Sequence, residues 1–358
     1  TVEIDPRHVN SFVVSKKMAE GMRASSYFLG ALLGRMLRAR VAPPGGCDFG
    51  VRPIDQHIKG FEALGAKMTI ENGMVDAKAM SLTGCLIYLD VVSVGATINI
   101  MLAAAKADGL TIIENAAREP HIVDLANFLN SMGANIMGAG TGVIKIRGVK
   151  HLSGADYSII PDQIEAGTYM AAAVATRGDI LVTNVTPKHL ESIIAKLRET
   201  GAEITEFDES VRVKMTRRPR KCNVKTMPHP GFPTDMQPQI AAVLSIADGT
   251  SIITEGVWDS RFRYVEQLTF MGADIQVDGK MAVITGVECL KPSPVRAVDL
   301  RAGAAMIIAG LSADGTTEIE EIDHIDRGYE NVVEKFSALG ADIKRVKSFD
   351  NIKALKQA

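Results

Sequence analysis

One cysteine lies in a loop whose composition is unusual for a purely structural segment. Cys47 is part of APPGGCDFGVRP, a stretch of twelve residues rich in proline and glycine. These residue types exclude a helix and a central strand, so a shaped loop is predicted. A thiol near an arginine, here Arg52, is typical of a reactive nucleophile. The alternative is a small buried hydrophobic side chain; the surrounding glycines and prolines favour the reactive thiol.

Two predicted helix starts could bind an anion. Pro53 suits the first position of a helix over residues 54–64, where its missing N–H costs nothing. The free amides of that turn, with Arg52 beside them, would attract a phosphate. Ser93, in SVGAT, opens a second helix in the same way. There the alternative is that the serine is an ordinary N-cap.

Three arginines and one aspartate are further candidates for chemistry. Arg23, Arg301 and Arg327 are each predicted at the start of a helix, where a cation opposes the helix dipole. Several such arginines indicate a site for a multiply charged anion. Asp235, in PHPGFPTDMQ, is either a carboxylate of that site or a cap of the following helix.

The composition limits the classes of function. The chain has 358 residues, 46% of them hydrophobic and 23% charged, which is typical of a globular protein of two domains. A net charge of -2 and 5% aromatic residues give no indication of nucleic-acid binding. Four cysteines without CxxC spacing predict a reducing compartment and no zinc site. We expect each of Cys85, Cys222 and Cys289 to be a small buried hydrophobe. No apolar run is long enough to cross a membrane, so a cytoplasmic protein is expected.

A short pattern recurs along the chain and identifies internal repeats. An apolar helix followed by Gly-Ala, a polar residue and an apolar residue occurs five times, and successive glycines are 68, 68, 71 and 68 residues apart. These glycines are Gly65, Gly133, Gly201, Gly272 and Gly340.

Each repeat is predicted to contain a strand, a helix, a strand, a second helix and two closing strands. A second series of glycines, at 109, 178, 249 and 315, is expected to end the first helix of its repeat as the C′ residue. The Ala-, Met- and Leu-rich first helices are expected to be enclosed by sheets. Thr1–Pro6 resembles the closing strands of a repeat whose helices are absent.

Seven stretches of sequence carry a resemblance to a known family. They are, in order, MRASSYFLGALL, PGGCDFGVRPIDQHIKGFEALGA, SVGAT, TIIENAAREPHIVDLANFL, PHPGFPTDMQ, VDLRAGAA and HIDRGYE. With them the chain resembles the enolpyruvyl transferases, and among these the enzymes that act on UDP-N-acetylglucosamine. The resemblance implies an α/β (α+β) fold, the inside-out α/β barrel, with two domains of βαβαββ repeats around pseudo-threefold axes. The first domain would span residues 1–158 and carry the Cys47 loop, and the second would span residues 159–358.

The resemblance also implies an activity and a set of site residues. The enolpyruvyl group of phosphoenolpyruvate would pass to the 3-hydroxyl of UDP-N-acetylglucosamine, with release of phosphate, as the first committed step of peptidoglycan synthesis. Cys47 matches the fosfomycin-reactive cysteine that protonates the methylene carbon, and Asp235 matches the base near the 3-hydroxyl. The UDP-sugar contacts are matched by Arg23, Arg52, Pro53, Ile54, Asp55, Gln56, Val91, Val92, Ser93, Val94, Gly95, Asp235, Val257 and Arg261. The phosphoenolpyruvate contacts are matched by Cys47, Arg52, Arg301 and Arg327. No metal, cofactor, nucleic acid or membrane is implied.

Three departures from the family pattern qualify this expectation. Val91 replaces a lysine, Gln163 replaces an arginine, and the family's N-terminal GAKN motif has no counterpart. We therefore expect a repeat to be missing, the first domain to be the less stable one, and turnover to be impaired. The alternatives are a UDP-sugar-binding protein without catalysis and a shikimate-type enolpyruvyl transferase, which would lack the PGGC loop.

Overall fold

A computed structural model describes residues 1–20, 22–43 and 54–346, and of Glu20 and Arg23 it describes the backbone alone. The loop with Cys47, Arg52 and Pro53 lies outside the described residues. The chain forms two compact units: the first comprises Thr1–Ile160 with Pro228–Pro230, and the second comprises Pro161–Met227 with Gly231–Ala358. Each unit has its own cluster of buried apolar side chains. No helix among the described residues is long and apolar enough to span a membrane.

The first unit contains two repeats, each with a mixed four-stranded sheet. In each sheet the first two strands are parallel and the closing hairpin is antiparallel, in the orders β1-β2-β4-β3 and β5-β6-β8-β7. The first repeat consists of β1 (Val13–Val14), α1 (Lys16–Glu20), α2 (Phe28–Met36), β2 (Arg38–Val41), α3 (Asp55–Ala63), β3 (Lys67–Glu71) and β4 (Met74–Lys78). The second consists of β5 (Leu86–Tyr88), α4 (Val94–Ala104), β6 (Leu110–Glu114), α5 (Pro120–Ser131), β7 (Asn135–Met137) and β8 (Val143–Arg147).

The second unit contains three repeats; among the described residues the fourth has the full element order, the third lacks the first strand and the fifth lacks the closing strands. The third repeat consists of α6 (Gln163–Ala175), β9 (Asp179–Thr183), α7 (Glu191–Glu199), β10 (Glu203–Glu206) and β11 (Ser210–Lys214). The fourth consists of β12 (Val224–Lys225), α8 (Gln237–Leu244), β13 (Thr250–Thr254), α9 (Val265–Phe270), β14 (Asp274–Asp278) and β15 (Met281–Thr285). The fifth consists of β16 (Pro294–Arg296), α10 (Leu300–Ser312), β17 (Glu318–Glu320), α11 (Asp323–Asp326) and α12 (Val332–Ala338).

The helices α4, α6, α8 and α10 are buried on nearly all sides, whereas α2 buries one face and exposes Phe28 and Arg35. In the second unit α6, α8 and α10 pack against one another, one from each repeat, and in the first unit α2 packs against α4. Glycine permits the closest approach, because a Cβ at Gly30 would stand 2.2 Å from the carbonyl oxygen of Asn99. This arrangement, with helices inside and sheets outside, confirms the prediction of enclosed helices and an α/β fold of βαβαββ repeats.

The Gly-Ala pattern marks the same helix end in all five repeats. Each of the five glycines has a positive φ of 87–99°, which a residue with a side chain rarely adopts. The amide of the following alanine bonds back across the last turn, for example from Ala66 to Phe61 at 2.9 Å and from Ala341 to Phe336 at 3.0 Å. These bonds are those of the Schellman motif. The predicted period therefore reports one repeated backbone geometry.

The C′ role predicted for the second glycine series was wrong, and so was the strand at Thr1–Pro6. Gly109 and Gly249 have a positive φ but directly precede β6 and β13, five residues after α4 and α8 end, so they are not C′ residues. Gly315 lies two positions after the C-cap residue of α10, so it is not a C′ residue either. After α6 the left-handed residue is Arg177, and Gly178 follows it. Thr1–Pro6 forms no strand; its one backbone–backbone hydrogen bond outside regular elements in the described structure is from Val9 to the carbonyl of Pro6 at 3.1 Å.

The described cysteines differ in exposure. Cys222 is buried, and burial raises the pKa of its thiol to about 11. Cys85 is half-buried, its pKa is also raised by burial, and its thiol donates to the carbonyl of Ala63 at 3.2 Å. Cys289 is exposed, so the prediction that it is a buried hydrophobe was wrong: it lies beyond the end of β15, where the alternating burial of the strand has ended.

Candidate functional site

The predicted site residues divide between the two units. Cys47, Arg52 and Pro53 lie outside the described residues, and the backbone of Arg23 begins a 3-10 turn, Arg23–Tyr27. The described first unit contains Ile54, Asp55, Gln56, Val91, Val92, Ser93, Val94 and Gly95. The second unit contains Asp235, Val257, Arg261, Arg301 and Arg327.

In the second unit the carboxylate of Asp235 lies between two arginines. Arg261 Nη2 is 3.5 Å from one carboxylate oxygen, and Arg301 Nη2 is 3.3 Å from the other. The Arg261 side chain is 1% exposed, that of Arg301 13%, and that of Asp235 32%. Arg261 is held further by a bond from its Nε to the carbonyl of Thr234 at 3.2 Å. Two largely buried cations therefore face one partly open carboxylate, which favours a further anion at this place.

Asp235 is not a helix cap. Its residue belongs to a 3-10 turn, Thr234–Met236, and α8 then begins at Gln237 with Met236 as the N-cap residue. The capping alternative raised by the sequence is therefore wrong, because the carboxylate instead faces guanidinium groups. Arg301, by contrast, does lie in the first turn of α10, where the side chain of Asp299 accepts its backbone N–H at 2.8 Å.

A buried polar network supports Arg301 from the side away from Asp235. Arg301 Nη1 donates to the hydroxyl of Tyr329 at 3.3 Å, and that hydroxyl lies 2.9 Å from Thr168 Oγ1. Thr168 donates its own proton to the carbonyl of Ile164 at 2.8 Å, so Tyr329 must be the donor to Thr168. Gln239 Nε2 donates to Thr168 Oγ1 at 3.2 Å. The proton directions in this network are thereby fixed.

The electrostatics keep Arg301 charged. Burial alone would lower the pKa of Arg301, but the charge of Asp235 and the neighbouring Tyr329 and Asp162 outweigh burial and raise that pKa. Its Nε is buried and has no partner among the described residues. A buried unpaired N–H of a cation costs free energy, and a bound anion would offset that cost.

Arg327 occupies a different place from the one predicted. It follows α11 as its C-cap residue and is exposed, whereas the sequence suggested a helix start. A cation at a helix C-terminus is favoured by the dipole, so the argument from an opposed dipole does not apply to Arg327. Val257 is 40% exposed in the turn that follows β13.

In the first unit, Gln56 joins the two predicted sugar-binding segments. Its Nε2 donates to Asp55 at 2.8 Å and to Asp90 Oδ2 at 3.1 Å, and its Oε1 accepts the backbone N–H of Asp90 at 2.9 Å. Lys59 donates to Asp90 Oδ1 at 2.7 Å, and these bonds from Lys59 and then Gln56 lower the pKa of Asp90. The start of α3, at Asp55, is therefore adjacent to the segment that leads into α4.

The start of α4 combines a capped helix with a buried histidine. Ser93 Oγ accepts the N–H of Ala96 at 3.3 Å, so the serine is the N-cap that the sequence allowed. Val91 and Val92 before it are exposed. His57 is 9% exposed, its Nδ1 has no partner in the described part of the chain, and burial, opposed by Asp55, lowers its pKa to about 4. The imidazole is therefore neutral at neutral pH.

Several residues of these sites were missed from sequence. Tyr329 could have been found, because it lies in the quoted stretch HIDRGYE, two residues after Arg327. Thr168 and Gln239 had no signal, since each lies on a helix that is buried on all sides and looks like core. The described residues hold no group of three or more His, Cys, Asp or Glu side chains that could bind a metal ion.

Comparisons with known proteins identify relatives of this chain. The family model for EPSP synthase (3-phosphoshikimate 1-carboxyvinyltransferase) matches residues 1–336. UDP-N-acetylglucosamine 1-carboxyvinyltransferase 3 of Caldanaerobacter subterraneus subsp. tengcongensis is 58% identical over 346 residues, which cover 97% of this chain and 83% of that protein. UDP-N-acetylglucosamine 1-carboxyvinyltransferase 2 of Clostridium acetobutylicum is 57% identical over 347 residues, with the same coverage of both chains.

Solved structures agree with this assignment of the fold. The enolpyruvyl transferase NikO from Streptomyces tendae aligns with a TM-score of 0.83 at 26% identity, covering 94% of this chain and 80% of that one. EPSP synthase from Acinetobacter baumannii aligns with a TM-score of 0.70 at 19% identity, covering 91% and 79%. The second likeness shows the fold alone.

Proposed function

Because the chain belongs to the EPSP synthase family and, within it, to the UDP-N-acetylglucosamine 1-carboxyvinyltransferases, we propose that it transfers an enolpyruvyl group. The donor is phosphoenolpyruvate, the acceptor is the 3-hydroxyl of UDP-N-acetylglucosamine, and phosphate is released. This reaction opens peptidoglycan synthesis, and we place it in the cytoplasm, in keeping with the four scattered cysteines.

The reaction proceeds by addition and then elimination. In the addition, the sugar 3-oxygen bonds to C2 of phosphoenolpyruvate, its proton passes to Asp235, and an acid adds a proton to C3. In the elimination, C3 loses a proton, the C2–C3 double bond forms again, and the bond from C2 to the phosphate oxygen breaks. The resemblance assigns the acid to Cys47, which lies outside the described residues.

The observation that carries the proposal is the carboxylate of Asp235 between Arg261 and Arg301. The carboxylate is open enough to accept a proton from a hydroxyl. The two guanidinium groups are fixed charges that offset the carboxylate and phosphate of a bound anion, and they need no rearrangement as charge develops. Arg327 and Arg52 would add to this charge. Gln56 and the start of α4 are proposed to hold the UDP-sugar, with Val91, Val92, Val94 and Gly95 along it.

The test is phosphate release by the 358-residue chain with phosphoenolpyruvate and UDP-N-acetylglucosamine, with shikimate 3-phosphate as the competing acceptor. We expect release only with the UDP-sugar, at the reduced rate predicted from the sequence. Asp235→Asn should lower kcat by about 100-fold or more, because the amide cannot accept the proton. The matched control is Asp179→Asn, since Asp179 also pairs with an arginine, Arg212 at 2.7 Å, but on the surface. An Asp235→Asn variant with the kcat of the control would refute the assignment.

A further inference from the structure

The second unit contains a buried carboxylate, Glu255, beside the turn that carries Asp235. Glu255 directly follows β13 and is 1% exposed. Its Oε1 accepts the backbone N–H groups of Val257 at 2.8 Å and Trp258 at 3.0 Å. Its Oε2 accepts Thr234 Oγ1 at 3.2 Å and Gln237 Nε2 at 3.3 Å. All four donors are neutral groups.

These four bonds join two turns. The first turn carries Val257, and the donors on the other side, Thr234 and Gln237, flank Asp235 in sequence. One carboxylate therefore sets the spacing between the segment proposed to contact the UDP-sugar and the segment that carries the proposed base. A 1 Å error in such spacing can cost about 100-fold in rate.

Stability alone is a weak reason for this arrangement. Removing a carboxylate from water costs several kcal/mol, and apolar side chains of similar size often stabilise a core as well as a buried charge does. The neutral donors satisfy Glu255 without a cation, so we infer that its charge serves to fix the positions of these donors. Each bond to an ionised acceptor is also stronger than a neutral one, which makes the junction stiff.

We propose that Glu255 is a positioning residue that holds the Val257 turn and the Asp235 turn in register, so that Asp235 meets the acceptor hydroxyl. This inference rests on the proposed function, in which Val257 contacts the sugar and Asp235 removes its proton. Glu255 itself touches neither substrate in this role.

The decisive variants are Glu255→Met, which removes all four acceptor bonds, and Glu255→Gln, which keeps most of them. In Glu255→Gln the remaining oxygen still accepts both amides. Its new amide can donate to Thr234 Oγ1 and to Gln237 Oε1, which is buried and has no partner in the described structure. Glu288→Met, at an exposed glutamate, is the matched control.

We expect the variants to change the kinetic constants for the two substrates by different amounts. Glu255→Met should raise KM for UDP-N-acetylglucosamine and lower kcat by about tenfold each, and change KM for phosphoenolpyruvate by less than about twofold. Glu255→Gln should stay within about threefold of the original chain. Since Trp258 is the only tryptophan, its emission should respond to UDP-N-acetylglucosamine in the original chain and lose that response in Glu255→Met.

The outcomes separate this inference from the proposed function. An original chain that releases no phosphate refutes the proposed function. In that case amide hydrogen exchange still tests whether Glu255 joins the two turns. Exchange at Val257 and Trp258 should be faster in Glu255→Met than in Glu255→Gln. The inference is overturned if the original chain is active and Glu255→Met has the same KM for the UDP-sugar and the same kcat per folded molecule.

If Glu255→Met does not fold, the variant Thr234→Val tests the inference instead. It keeps the side-chain shape and removes only the hydroxyl beside Asp235. We expect kcat to fall by about threefold to tenfold at unchanged sugar KM. An unchanged kcat would overturn the inference.

Discussion

Removing the hydroxyl of Tyr329 tests the support of Arg301. Tyr329→Phe keeps the ring, which is 2% exposed and lies 5.7 Å from the guanidinium carbon of Arg301. Thr168 remains satisfied, because it still donates to Ile164 and still accepts from Gln239. The loss therefore falls on Arg301 Nη1, whose acceptor disappears, while the Nε of Arg301 is already buried without a partner among the residues that the structure describes.

The size of the effect follows from that single loss. A hydrogen bond to a charged group contributes about 1.5–3 kcal/mol, so the second unit should lose about 2 kcal/mol of unfolding free energy. For a unit of this size that change lowers the melting temperature by about 4–8 °C. Arg301 also becomes free to turn, so KM for phosphoenolpyruvate should rise about fivefold, with KM for the UDP-sugar within about twofold.

Urea unfolding and initial-rate kinetics measure the two parts of this prediction. The matched control is Tyr157→Phe in the first unit, where the hydroxyl donates to Asp124 Oδ1 at 2.7 Å. That variant should leave KM for phosphoenolpyruvate unchanged. If Tyr329→Phe altered the unfolding free energy by less than about 0.5 kcal/mol and left both KM values unchanged, the supporting role of Tyr329 would be wrong.

Two further predictions concern a thiol and a histidine. Iodoacetamide should modify Cys47 first, as the nearby arginine suggests, and peptide mapping would identify the labelled residue. The exposed Cys289 is the competing thiol, and Cys222, whose pKa is near 11, should react slowest. Labelling of Cys289 ahead of Cys47 would contradict the prediction. His57 binds a proton near pH 6.5 when unfolded and near pH 4 when folded, so its contribution to stability is complete above pH 6.5 and is lost as the pH falls towards 4. The full contribution of His57 is about 3 kcal/mol of unfolding free energy. Between pH 7 and pH 4.5 the unfolding free energy should therefore fall less in His57→Gln than in the original chain. An equal fall in both proteins would refute this prediction.

The repeats were predictable because their signal is local. A left-handed residue at the end of a helix nearly requires glycine, so Gly65 and its four equivalents repeat with the period of the fold. The glycines at 109, 178 and 249 were misleading, because a glycine that precedes a strand looks the same in sequence as one that ends a helix. Local signals therefore predicted the repeat well and its helix ends less well.

The site was predictable only where charge stood out in sequence. Asp235 and Arg301 were found because charged residues at helix starts are conspicuous. Glu255 gave no such signal, since its partners are backbone amides and neutral side chains brought together by folding. Tyr329 lies in the stretch HIDRGYE, but its hydroxyl contacts to Thr168 and Arg301 join residues that are distant in sequence. Residues that position others through long-range neutral bonds have no sequence pattern of their own.

The separation of the sheets has a consequence for how the second unit unfolds. Among the described strands, every ladder pairs strands of a single repeat, so the packing between α6, α8 and α10 is a main link through which we expect the three repeats to unfold together. Gly167 of α6 faces the 3-10 turn Thr234–Met236 that precedes α8, and a Cβ there would meet the sulfur of Met236 at 2.9 Å. A methyl group added to α6 at this point would thus act on the cooperativity of the whole unit, and it would press on the turn that carries Asp235.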